Sequence, residues 1–141
     1  MIKITAFHRL PLEEERIGQV LSIDNSYPRN IGQVHGRLKF LAPPRKVARA
    51  FRQRNTAGPL RITKPNGEVV IRHEPITQEA FIEAYRQHLE ANWAQVSHWL
   101  ESLDPRDELY LCTWTTDGFD HRQLVARLIQ HYRPDIDVRV T

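Results

Sequence analysis

Val20-Leu21-Ser22-Ile23-Asp24-Asn25-Ser26-Tyr27-Pro28-Arg29-Asn30 carries a short apolar run straight into an acid, an aromatic and a cation. Continuous apolar character over a few residues reads as a strand buried on both faces, and Pro28 stops it. Leu109-Tyr110-Leu111-Cys112-Thr113-Trp114 is a second, more hydrophobic run, and it leads into Thr115-Thr116-Asp117-Gly118-Phe119-Asp120-His121-Arg122. At both places a rigid strand would deliver polar side chains to a loop, a common way of building a site. If the two strands are neighbours in one parallel sheet, both loops open on the same edge.

Working outward, residues 2–7 alternate as a first strand, and His8 to Gly18, with Pro11 and three consecutive glutamates, reads as a loop or short turn. Leu41-Ala42-Pro43-Pro44 leads into a helix from Arg45 to about Arg54, with Val47 and Phe51 on its inner face. Leu60–Thr63 and Val69–Arg72 flank a Pro65-Asn66-Gly67 tip, a hairpin signal, expected as an antiparallel extension of the sheet or a flap over one edge. After Thr77, a plausible N-cap, Phe81, Tyr85, Leu89, Trp93, Val96, Leu100 and Leu103 keep helical spacing, as one helix or as two with a kink near Asn92. Asp120 is placed to cap a helix from His121 to about Tyr132, and residues 136–140 close as a strand. Strand, helix, strand, helix, strand predicts an α/β fold. The expectation is a single three-layer, Rossmann-like domain over residues 1–141, with a mostly parallel sheet and a β-hairpin inserted at about 58–76.

A chain of 141 residues, 40% apolar and 26% charged, has the size and balance to bury a core without staples. No apolar run reaches the roughly 18 residues of a membrane span. The first residues lack the apolar core and cleavage site of a signal peptide, and the one cysteine cannot form an internal disulfide. The expected location is cytoplasmic. The net charge of +3 is unevenly spread. Ten Lys/Arg face one acid, Glu68, between Arg37 and Arg72, whereas twelve acids face six Lys/Arg from Glu74 onward. Such asymmetry fits a phosphate- or nucleic-acid-binding face, and it equally fits a solvated basic helix beside an acidic one.

Two clusters could carry chemistry. Asp24, Tyr27 and Arg29 follow the first strand; Asp24 and Arg29 would orient a ligand, or simply pair with each other. Asp120, His121 and Arg122 stand at a helix start, where free N–H groups and the helix dipole attract an anion. Arg122 could grip a phosphate or carboxylate, and His121 could act as acid or base near neutral pH. The plain alternative is that Asp120 is only an N-cap. Cys112 is expected to be a buried, unreactive side chain. Trp93 and Trp114 are expected in the core. The histidines show no zinc-type spacing, no phosphate loop or nucleophile elbow is present, and no metal or cofactor is expected.

These segments resemble the bacterial domain-of-unknown-function 488 family. Ile23–Asn30 is similar to its Val-Asp-Arg-Leu-Trp-Pro-Arg-Gly motif, and Leu41–Pro44 to its Leu-Ala-Pro-Ser segment. Phe81 and Tyr85 match its Phe-x-x-x-Tyr helix. Leu111–Trp114 with Asp120-His121-Arg122 is similar to its Leu-Cys-Trp strand and Cys-His-Arg helix start. Asn25, Asn30 and Asp120 stand where the family has Arg, Gly and Cys, and the last change removes a cysteine pair with Cys112. The resemblance implies an α/β fold with a shared pocket and assigns no substrate.

The leading expectation is a small domain that binds an anionic small molecule, a nucleotide or sugar phosphate, at the carboxyl ends of its strands. Asp24 and His121 are its candidate catalytic residues, and Tyr27, Arg29, Arg122 and Asp120 its candidate ligand-binding residues. Whether any reaction is catalysed stays open. The alternative is a nucleic-acid-binding module using Arg45, Arg49, Arg52, Arg61 and Lys64. A third reading is a non-catalytic interaction domain whose hairpin pairs with a partner or with a second copy in a homodimer. No membrane partner is expected.

Overall fold

A computed structural model describes residues 1–52, 61–71, 76–114 and 118–141, with the backbone alone at 61, 62, 70 and 71. The main sheet holds β1 (Ile2–Ala6), β2 (Gln19–Ser22), β3 (Gly36–Arg37), β6 (Leu109–Thr113) and β7 (Val138–Val140). Its order is β3-β2-β6-β1-β7, and every pairing in it is parallel. The helices are α1 (Arg45–Arg52), α2 (Gln78–Ala91), α3 (Trp93–Ser102) and α4 (His121–Tyr132). The domain is therefore α/β with an all-parallel five-stranded sheet and four helices.

The direction of each connection decides what covers each face. The chain runs from β1 to β2 and from β2 to β3 toward one edge, then from β3 to β6 and from β6 to β7 toward the other. Right-handed crossovers place these two sets of connections on opposite faces. All four α-helices belong to the second set. On their face Ile2, Ile4 and Leu111 of the strands join Tyr85, Val96, Leu100, Val125 and Ile129 in one buried cluster. On the opposite face Val20, Tyr110 and Cys112 pack with Phe7, Leu10, Ile31 and Val34, which come from turns and loops. The layer expected there is irregular chain among the described residues. Alternation along β6 explains the split, because Leu111 faces one way while Tyr110 and Cys112 face the other. Fully burying each large side chain contributes about 1.5–3 kcal/mol.

The helix ends follow local chemistry. Thr77 caps α2 through its hydroxyl, which accepts from the Ala80 N–H at 3.1 Å. Asp120 and Gln123 form a reciprocal capping box on α4. The long apolar stripe is broken at Asn92, whose side-chain amide donates to the His88 carbonyl at 2.8 Å. Beyond the break Val96, Leu100 and Leu103 of the stripe stay buried. Trp99 becomes the buried tryptophan and packs near Phe40, while Trp93, expected in the core, lies half-exposed against Tyr132. Gly18 precedes β2 with φ +98°, and a Cβ there would sit 1.9 Å from the Glu108 carbonyl oxygen. Only glycine lets the chain enter the sheet so close to β6.

β4 (Arg61–Thr63) and β5 (Val69–Ile71) pair antiparallel in a separate two-stranded sheet, not as an extension of the main one. Of the expected 58–76 insertion, residues 58–60 and 72–75 lie outside the described residues.

Candidate functional site

β2 and β6 are neighbours, with Ser22 opposite Cys112. The chain leaves β2 toward the β3 edge and leaves β6 toward the β7 edge. Adjacent strands whose connections diverge open a crevice at their carboxyl ends, where ligands bind in open α/β sheets. Asp24 follows β2 and Trp114 follows β6, so the two loops meet there.

The contacts are specific. One carboxylate oxygen of Asp24 accepts the Trp114 backbone N–H at 2.7 Å. The other lies 3.4 Å from Nε2 of His121. That nitrogen is also 2.8 Å from the Ile23 carbonyl oxygen. A carbonyl only accepts, so Nε2 carries the proton and Nδ1 holds the lone pair in the neutral ring. The Ile23 carbonyl, one residue past β2, thereby sets the orientation of the ring. The ring of Tyr85 lies 5.8 Å from that of His121, and its hydroxyl donates to the Leu41 carbonyl at 2.6 Å. Burial first, then the charges of Asp24 and Asp120, push the Tyr85 phenol far up, so it stays protonated as a donor.

A cavity of about 310 Å³ opens at this point. Asp24, Asp120 and His121 line it together with Arg45, Arg49 and Arg52 of α1. The three arginines are exposed, and none is ion-paired among the described residues. Phe51, Phe81 and Trp114 supply aromatic surface, and Phe51 and Phe81 stack at 4.4 Å.

The residues picked from sequence part ways here. Asp24, Asp120 and His121 converge. Arg122 turns inward: its Nε donates to Asp120 Oδ1 at 2.9 Å, and its Nη1 to the Thr141 carbonyl at 2.9 Å. That guanidinium ties α4 to the end of the chain and does not line the cavity. Tyr27 and Arg29 are exposed and likewise absent from the lining. Lys64 lies 3.7 Å from Glu68, Arg61 is described by its backbone alone, and Arg72 falls outside the described residues. Cys112 is buried and its thiol is pushed up to about 12, chiefly by burial, which keeps it from acting as a nucleophile at neutral pH. No group of His, Cys, Asp and Glu among the described residues could hold a metal ion. No described helix is long and apolar enough to cross a membrane.

Sequence reasoning assigned Trp114 to the core, yet it is 46% exposed on the cavity wall. Its position just past the end of β6 was the available signal, since the sheet no longer covers a residue there. The α1 arginines were visible as an i, i+4, i+7 stripe, but their spacing could not say what they face. No family model, curated protein or solved structure matches this chain.

Proposed function

We propose that this domain binds an anionic small molecule, a nucleotide or sugar phosphate, in the crevice between the ends of β2 and β6. The observation that carries the reading is that Arg45, Arg49 and Arg52 line the same cavity as Asp24, Asp120 and His121. Three guanidiniums on one helix face, unpaired among the described residues, give a fork-shaped set of donors suited to phosphate. With the carboxylates in the same lining, an anion is favoured at α1 and hydrogen-bond donors are favoured at the strand ends. A ligand with a phosphate at one end and hydroxyls at the other fits both.

The same arginines would also attract a nucleic-acid backbone. The carboxylates of Asp24 and Asp120 weigh against that reading, because a chain of phosphates crossing the cavity would meet them. The likeness to the domain-of-unknown-function 488 family belongs to the same proposal, since its two motifs match Asp24, Trp114 and His121, while Asp120 stands where the family has Cys.

Titration calorimetry with ribose 5-phosphate tests the reading. The wild-type protein is expected to bind, and the R45A/R49A/R52A variant to bind at least about tenfold more weakly with its melting temperature unchanged. Absence of binding by the wild type, or equal binding by the variant, would refute the proposal.

A further inference from the structure

One feature of the cavity is not explained by phosphate binding alone, and that feature is Trp114. A half-exposed indole normally samples several rotamers, but here two contacts hold it. Its Nε1–H donates to Ser26 Oγ at 3.0 Å. Its ring meets Phe7 edge-on at 5.5 Å. Trp114 is 46% exposed and lines the cavity.

A sugar phosphate satisfies the arginines but leaves the indole without a partner. A nucleotide satisfies both, with its phosphate at α1 and its base stacked on the indole. We infer that the ligand is a nucleoside monophosphate whose base stacks on Trp114. The cavity volume of about 310 Å³ lies at the lower end of small-molecule sites, roughly 300–1,000 Å³, which suits one nucleoside and one phosphate better than a dinucleotide. The inference rests on the anion-binding reading above and narrows its ligand.

The test compares adenosine 5′-monophosphate with ribose 5-phosphate, read by calorimetry and by quenching of tryptophan fluorescence. The wild type is expected to prefer the nucleotide by about tenfold, a typical effect of one base–aromatic stack. Trp114→Leu is expected to lose that preference while keeping its affinity for ribose 5-phosphate. Trp114→Phe, which keeps a stacking ring and guards against a folding artefact, is expected to retain most of it. Equal affinity of the wild type for both ligands, or an undiminished preference in Trp114→Leu, overturns the inference and leaves the anion site standing. Failure of both ligands to bind overturns the inference together with the anion site.

Discussion

The arginines of α1 and the arginine at the start of α4 look alike in sequence and do opposite things. Arg122 sits beside an acid and a histidine at a helix start, the textual pattern of an anion site. The structure surrounds it with Asp120, the Gly118 carbonyl and the Thr141 carbonyl, and buries it. Arg133 behaves similarly, donating to the carbonyls of Leu100 and Leu103 at 2.7 and 2.8 Å and so closing the end of α3. Arg45, Arg49 and Arg52 lie in a plain basic run, and they line the cavity without an ion pair among the described residues. A guanidinium whose donors are already matched inside the protein cannot also serve a ligand. The charge left unmatched at a concave surface is the one available for recognition.

The sharpest way to break this contrast is Arg122→Ala. Removing it leaves the Asp120 carboxylate buried without its cation, so a loss of roughly 3–5 kcal/mol of stability in urea unfolding is expected. A loss below about 1 kcal/mol would show that Arg122 is not structural. Tyr85→Phe probes the ring packed against Phe81 and His121. It leaves the buried Leu41 carbonyl unsatisfied, and a cost of about 1–3 kcal/mol is expected in the same experiment. Arg49→Ala should change stability by no more than about 0.5 kcal/mol, as expected of an exposed side chain, while weakening ribose 5-phosphate binding. A large stability loss there would place Arg49 in the same class as Arg122.

The smallest effect concerns an exposed pair, which sharpens the contrast with buried Arg122. Hydrogen bonds from Arg106 lower the Asp104 carboxyl from the usual 3.8 to about 2. A depressed carboxyl favours the folded state above its unfolded value, and that contribution disappears as pH falls from about 3.8 through about 2. The proton titration of Asp104 followed by NMR should therefore have its midpoint near 2 and move back toward 3.8 in Arg106→Ala. Because both groups are on the surface, the melting temperature at neutral pH should barely respond.

Local chemistry made much of the fold legible. Alternating or continuous apolar runs marked β1, β2, β6 and β7, and the caps Thr77 and Asp120 marked where α2 and α4 begin. The two-residue strand β3 escaped notice because two residues carry no period. Two helices with a kink near Asn92 were legible as an alternative, but Trp93 was misplaced because spacing does not say which side chain such a kink leaves outside the core. For the site, Asp24, Asp120 and His121 were legible because each sits where a strand ends or a helix starts. The roles of Arg122, Trp114 and the α1 arginines were not legible, because each depends on which distant residues lie opposite.

Periodicity and capping are properties of a few consecutive residues, so the chain alone dictated an α/β domain and the two polar junctions at residues 24 and 120–121. Strand order is a property of the whole. Only the placement of β2 beside β6 brought those junctions within 3.4 Å of each other. The same packing enclosed one arginine and left three others facing a cavity. Burial and pairing, which settle what a charged side chain is free to do, arise between segments far apart in sequence.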